Sequence, residues 1–380
     1  MLKISNNEQR SKTVVVLDEK NQNSMKIKTL RLSLILLATF SILISCKNDD
    51  DGSTTVEVED RTEQQVIDND AILLYLTTHY YNSSFFESST NPKYTDIIIT
   101  ELLQDDEGVY EELPDPDNNT LLIDAVDTYE TEYVDATYKY YILNLNQGGG
   151  VAPKFTDRIR VRYEGSSVNE DGEIFESIIT PEELLLYGDG FTSLGSIRAW
   201  QLVMPKFNSA VGFSYDNGNI SYDNFGLGIM FVPSGLAYFS GTSTGYSYDN
   251  LMFKFELLQY EVMDHDNDGI PSYLEDLDDN TDAFDDDTDE DGFPNYIDFD
   301  DDGDDVSTFN ELMSTDYTVD TNLGEVEPTL ASNEYEYSRT EEGGVITIKT
   351  VTVMDSNGDG TPDYLDATIV IDYNEEEESN

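Results

Sequence analysis

Cysteine, histidine and tryptophan are nearly missing from this chain of 380 residues: it has one Cys, two His and one Trp. A single cysteine, Cys46, excludes disulfides within the chain and leaves a cysteine-based zinc site without ligands. With only His79 and His265, a Ser-His-Asp triad has few possible bases, and neither histidine lies near a nucleophile motif. Positive charge is scarce as well. Against 79 Asp and Glu stand 20 Lys and Arg, a formal charge of −59. Such a chain repels phosphate backbones within the screening length, so nucleic acid is excluded as a partner. Carboxylate pairs are too numerous to diagnose acid–base catalysis. The self-repulsion requires either solvated acidic segments or cations that neutralise them. The apolar run Leu32 to Ile44 is shorter than the about 20 residues a bilayer span needs.

What remains is rich in aromatics, 25 Tyr and 17 Phe, too many for wholesale disorder. The length accommodates two or three domains. Met25-Lys-Ile-Lys-Thr-Leu-Arg31 is a basic segment, Leu32 to Ile44 an apolar one, and Leu43-Ile-Ser-Cys46 sets a small residue before the cysteine. This resembles a bacterial lipoprotein signal, which implies a start at Met25 and lipidation at Cys46. The alternative is a buried helix ending at a free thiol. Lys47-Asn-Asp-Asp-Asp51 is similar to the acidic tag of surface-exposed lipoproteins in Bacteroidetes-type bacteria. Residues 1–46 therefore read as signal, and 47–59 as a polar tether.

Residues 60–136 read as a helical and irregular region. Asp60 is an N-cap candidate with Glu63 three positions on, and Ile72, Leu73, Leu76 and Tyr80 recur at helical spacing, predicting a helix over Thr62 to Tyr81. His79 on it reads as packing or surface. Beyond Thr137 the pattern becomes that of strands: Thr137 to Leu145, Arg158 to Tyr163, Glu173 to Glu176 and Leu251 to Tyr260. Gly148-Gly-Gly150 lacks the sequel of a phosphate loop and reads as a turn. Pro181-Glu-Glu183 predicts a helix-like or irregular excursion. The fold class is α+β, mostly antiparallel sheet.

Five ordered phrases carry a family likeness: Val161-Arg-Tyr163-Glu-Gly165, Ile174-Phe175-Glu-Ser177, Ile197-Arg-Ala-Trp200, Val232-Pro-Ser-Gly-Leu-Ala-Tyr238 and Phe253-Lys-Phe-Glu-Leu-Leu258. Their order and spacing resemble FKBP-type peptidyl-prolyl cis-trans isomerases over residues 137–261. The resemblance implies a twisted antiparallel sheet around a short helix. It makes Trp200 a pocket floor and Tyr163, Phe175, Tyr238 and Phe253 its walls, with Phe191 or Tyr187 as a further aromatic. It also makes Ile197 the residue whose N–H holds a substrate carbonyl. Glu176 stands where the family usually has Asp, Ser196 where it has Val, and Phe239 where it has Gly. The activity implied needs no cofactor, and its partners are proline-containing polypeptides. Taken singly, each aromatic is as readily ordinary core.

Past Glu261 the composition turns acidic. Asp264, Asp266, Asp268 and Glu275 stand at positions 1, 3, 5 and 12 of a loop with Gly269 at 6. The register recurs at Asp287, Asp289, Asp291 and Asp298, and again at Asp300, Asp302, Asp304 and Glu311, where Asp305 replaces the glycine. Asp355, Asn357, Asp359 and Asp366 form a fourth copy. Oxygen ligands on alternate residues, a glycine for the sharp turn and a closing acid are the pattern of a Ca²⁺ loop. Ser272, Asn295, Thr308 and Asp363 occupy the ninth position. The recurrent Gly-x-Pro tails resemble thrombospondin type 3-like bacterial calcium repeats over 262–311. A solvated acidic linker is the bland alternative. Residues 312–380 read as a small β unit with strands at Glu334 to Tyr337, Val345 to Val353 and Thr368 to Tyr373, then an acidic tail. The expectation is an outer-membrane lipoprotein, periplasmic or surface-facing, that isomerises X–Pro bonds. The alternative is a non-catalytic surface module that binds proline-containing segments or acts in adhesion.

Overall fold

The computed structural model describes residues 58–375 apart from 170, 171, 191 and 217; the expected signal over 1–46, with Cys46, and Phe191 lie outside the described residues. Asp60 caps helix α1 (Arg61–Thr78), its carboxylate accepting the N–H groups of Thr62 and Glu63. The helix stops three residues before the expected Tyr81. The Thr77 and Thr78 hydroxyls donate back to carbonyls of the preceding turn, and His79 is extended. Strand β1 (His79–Tyr81) follows, and after α2 (Ser83–Ser88) it pairs with β2 (Ile99–Glu101) and β3 (Thr120–Leu121). The His79 ring stacks on Tyr75 with centroids 3.8 Å apart.

After α3 (Leu122–Ala125), the chain builds one antiparallel six-stranded sheet from β4 (Asp127–Tyr133), β5 (Ala136–Asn146), β6 (Arg158–Ser167), β7 (Ile174–Leu185), β10 (Gly226–Val232) and β11 (Leu251–Glu261). The order is β4-β5-β10-β11-β6-β7. Helix α4 (Arg198–Val203) lies between β7 and the hairpin β8 (Gly212–Asp216) and β9 (Asn219–Asp223). Period-two alternation sends Phe253, Phe255 and Leu257 of β11 to one face, with Trp200, Val203 and Phe207 against them. Met252 and Leu258 go to the other face with Tyr141, Leu143, Ile229 and Phe231, where Ile72, Tyr75 and Leu76 of α1 cover them. Both faces of the sheet are thus buried.

Pro181-Glu-Glu183 does not leave the sheet. It lies inside β7, where the pairing with β6 shifts register between Val161 and Tyr163, and β7 is an edge strand. An edge and a bulge are where a residue without N–H fits a sheet. In the C-terminal part, Thr368 to Tyr373 is not a strand. The third strand is β12 (Met313–Asp320), which pairs with β14 (Val345–Thr352), itself paired with β13 (Glu334–Glu342). Met313, Thr315, Tyr317 and Val319 carry the alternation that marks β12, whereas the Tyr373 hydroxyl and N–H bond to Asp363 and Asn310. The described molecule is mostly sheet with few helices, an α+β architecture.

Candidate functional site

The register of the sheet assembles the aromatic site. Phe253 pairs with Gly165 and Phe255 with Tyr163 across β11 and β6, and Gly165 pairs with Glu176 of β7. A Cβ on Gly165 would lie 2.6 Å from the Phe175 ring and 2.9 Å from Phe253, so only glycine lets the two rings meet there. Phe175 stands edge-on to Phe253 at 5.8 Å, Tyr163 edge-on to Trp200 at 5.2 Å, and Trp200 meets Phe253 at 5.1 Å. Trp200 and Phe253 are closed in, 4 % and 2 % exposed; Phe175 and Ile197 are half-buried, and Tyr238 is 38 % exposed. The Tyr163 hydroxyl donates to Glu176 Oε2 at 2.7 Å. Burial, with that carboxylate, pushes the Tyr163 phenol far up, and burial with Glu176 nearby also raises Tyr238.

Ile197 precedes α4 with φ −61° and ψ 151°; its carbonyl accepts the Trp200 N–H, and its own N–H meets no partner among the described residues. Ser196 is bonded through N–H and hydroxyl to Leu186 O. Phe239 adopts φ 48°, the left-handed region where a glycine would sit without cost. Its N–H donates to Ser234 O, its carbonyl accepts from Tyr248, and the Arg61 guanidinium lies 4.1 Å from its ring centroid. Asp68 on α1, 1 % exposed, holds the same turn: its Oδ2 accepts the Ser234 N–H at 3.0 Å and hydroxyl at 2.6 Å. Neither Arg61 nor Asp68 was singled out from the sequence. An acid four residues from both Gln64 and Ile72, on the stripe that α1 buries, was the available signal.

Tyr187 is not a pocket wall. Its ring packs on Phe155 and Tyr296, and its hydroxyl donates to Asp282 at 2.6 Å. It belongs to the seam on which the acidic extension docks, together with His265 Nε2 at 3.1 Å from Tyr187 O, Tyr296 donating to Gly188 O, and Arg198 donating to Thr281.

Several solved structures are similar to part of this chain, two of them as follows. One is a peptidyl-prolyl cis-trans isomerase from Pseudomonas syringae pv. tomato, 20% identical over 32% of this chain and 75% of that one, with a TM-score of 0.25. The other is the N-terminal domain of FKBP42 from Arabidopsis thaliana, 16% identical over 36% and 94%, with a TM-score of 0.26. Likeness at this level leaves the functional reading to the site's own geometry. The family described as BamM C-terminal matches residues 265–344, across the acidic loops and into the small sheet. No curated protein matches the sequence.

The acidic loops share one turn. In the first, Asp264 Oδ2 accepts the Gly269 N–H, Asp266 Oδ1 that of Asp268, and Asp268 Oδ1 that of Ile270. The three bonds recur from Asp287, Asp289 and Asp291, from Asp300, Asp302 and Asp304, and from Asp355, Asn357 and Asp359. The sixth residue has positive φ in each, including Asp305 at 76°. Each of the first three loops brings its three acids together, with carboxylate oxygens within 4.8 Å. In the fourth, the Asn357 amide nitrogen is turned inward and donates to Asp359 and Asp366. The ninth residues clip the loop: the side chains of Ser272, Asn295, Thr308 and Asp363 accept the N–H of the second residue.

A fifth turn of this kind starts at Asp276. Asp276, Asp278 and Asn280 accept the N–H groups of Thr281, Asn280 and Asp282, and Thr281 sits at φ 66° where the others place Gly or Asp. The missing glycine hid it. Asp276 and Asp278 there converge with Asp286.

Buried carboxylate oxygens without a hydrogen-bond donor are concentrated in the first and third loops, Asp266 Oδ2, Asp268 Oδ2 and both of Glu275, then Asp300 Oδ1, Asp302 Oδ2, Asp304 Oδ2 and both of Glu311, with Asp287 Oδ1 in the second. None of the ion pairs among the described residues uses a loop acid. Burial, then neighbouring Asp302, raises Glu311 to about 9, and burial, then Asp268, raises Glu275. Anionic oxygens gathered away from water are unfavourable alone and suit a hard divalent cation.

Proposed function

We propose that residues 137–261 are an FKBP-type peptidyl-prolyl cis-trans isomerase unit of an outer-membrane lipoprotein anchored at Cys46, with Ca²⁺ held in the loops of 262–311 and 355–366. The observation that carries the reading is the cluster of Tyr163, Phe175, Trp200 and Phe253, with the unpaired Ile197 N–H beside it and the Tyr238 side chain exposed.

Rotation about an X–Pro bond faces a barrier of ~18–20 kcal/mol set by amide resonance, and no proton has to move. An apolar aromatic surface disfavours the planar, more polar amide relative to the twisted one. The Ile197 N–H would donate to the carbonyl of the bound segment, and Tyr163, fixed by Glu176, would hold its wall. In the loops, Asp264, Asp266, Asp268 and Glu275, and Asp300, Asp302, Asp304 and Glu311, would ligate Ca²⁺, which supplies the countercharge they lack. The clients are X–Pro segments of proteins outside the cytoplasm.

A protease-coupled assay on a proline peptide tests the enzyme. The protein accelerates isomerisation above the uncatalysed rate, and Ile197→Pro, which suits φ −61° and removes the N–H, lowers kcat/KM at least tenfold, beyond the loss in Ile197→Val, which keeps the N–H and trims the side chain. No acceleration by the wild type overturns the enzymatic claim. The near-complete closure of Trp200 and Phe253 favours a second reading, a non-catalytic module that grips proline-containing segments. Peptide binding without turnover selects it.

A further inference from the structure

The acids of the third loop alternate in direction. Asp300, Asp302 and Asp304 converge within their own loop, whereas Asp301 is turned out of it. The second position holds His265, Leu277, Thr288 and Ser356 in the other loops, so nothing in the loop pattern asks for an acid there. Its carboxylate meets Asp268 and Glu275 of the first loop, one oxygen from each lying within 4.8 Å of the others. All three residues are shut away from solvent: Asp268 is 2 % exposed, Glu275 0 % and Asp301 1 %. Both oxygens of Glu275, both of Asp301 and Oδ2 of Asp268 have no hydrogen-bond donor. Three buried carboxylates from two separate loops, with five such oxygens, cannot be stable as an anionic group on their own.

We propose that Asp301 is a ligand lent by the third loop to a hard divalent cation, Ca²⁺ by its all-oxygen donor set, held with Asp268 and Glu275. An ion that reaches oxygens at 2.3–2.6 Å spans a triad of this size. The metal then crosslinks loops that lie 26 to 33 residues apart in sequence, as the positions of Asp301, Glu275 and Asp268 require. This rests on the reading of the loops as Ca²⁺ sites and adds to it a site between loops that no single repeat encodes.

The test follows Ca²⁺ binding by isothermal titration, and thermal unfolding in Ca²⁺ and in EDTA, for the wild type, Asp301→Asn and Glu275→Gln. In Ca²⁺, Asp301→Asn binds one class of ion at least tenfold more weakly and has a lower Tm than the wild type. In EDTA the order reverses or vanishes, because the variant has shed an uncompensated buried charge, and Glu275→Gln follows the same pattern. A wild type that neither binds Ca²⁺ nor gains Tm from it overturns the reading of the loops and this site with it. A wild type that binds, with Asp301→Asn titrating identically or losing as much Tm in EDTA as in Ca²⁺, overturns the inter-loop site alone.

Discussion

Asp68 offers the sharpest test of how α1 governs the turn that carries Tyr238. Its carboxylate takes three bonds, from the Ser234 N–H, the Ser234 hydroxyl and Gln64 Nε2, in a position 1 % exposed. Replacement by alanine leaves the Ser234 hydroxyl and the Gln64 amide buried without that acceptor, at about 1–3 kcal/mol each, and opens a small void, while the Ser234 N–H keeps Asn250 Oδ1 at 3.1 Å. Against this, burial raises the Asp68 pKa above 3.8, so part of the loss is returned when the charge goes. The net for Asp68→Ala is ~3 kcal/mol, roughly a hundredfold in the folded-to-unfolded ratio. Asparagine keeps one oxygen for both Ser234 donors and needs only a turned Gln64 amide, so Asp68→Asn costs ~1 kcal/mol or less. A raised folded pKa means that the wild type binds this proton more tightly when folded, and its stability from this group falls as pH rises above the unfolded value. Asp68→Asn therefore gains on the wild type between pH 4 and pH 7. Urea unfolding in Ca²⁺, followed by the fluorescence of Trp200, the chain's one tryptophan, reads these differences. If Asp68→Ala loses under ~1 kcal/mol, or Asp68→Asn loses as much as alanine, the turn is not held this way.

Two further outcomes are expected. Asp157, fully buried with Oδ1 unpartnered, is pushed up to about 6 by burial, so the wild type loses on the order of 3 kcal/mol relative to Asp157→Asn as pH rises from about 4 through 6, measured by urea unfolding across that range. A parallel pH dependence in the two proteins refutes it. Gly165→Ala puts a methyl group 2.6 Å from the Phe175 ring; it costs ~1–3 kcal/mol and weakens binding of a proline peptide, read by the same unfolding curves and by peptide titration.

Much of the central sheet was legible because β6 and the first half of β5 alternate, because β11 is a continuous apolar-rich run, and because the aromatic phrases fall at facing positions of paired strands. Local signals mislead where tertiary context outvotes them. Pro181 looks like a breaker until an edge strand with a shifted register accommodates it. Thr368 to Tyr373 has strand composition, but β12 already occupies the place beside β14. Tyr187 sits near the pocket phrases in sequence, yet its side chain serves the seam with Asp282 and Tyr296. In the acidic loops the register was visible wherever glycine marked the sixth residue; Thr281 concealed one turn, and no repeat pattern could show that Asp301 reaches into another loop.

The sheet's second face sets how the chain can be divided. Tyr141, Leu143, Ile229, Phe231 and Met252 are covered by residues that precede Thr137 in sequence, Ile72, Tyr75 and Leu76 among them. A gene fragment cut to the stretch that looks like an isomerase would bare that surface and strip β5 of its neighbour β4, turning a paired strand into a sticky edge. A piece that keeps this face covered and β5 paired has to reach back to the cap of α1, so boundaries drawn on sequence likeness alone would cut through the core of the fold.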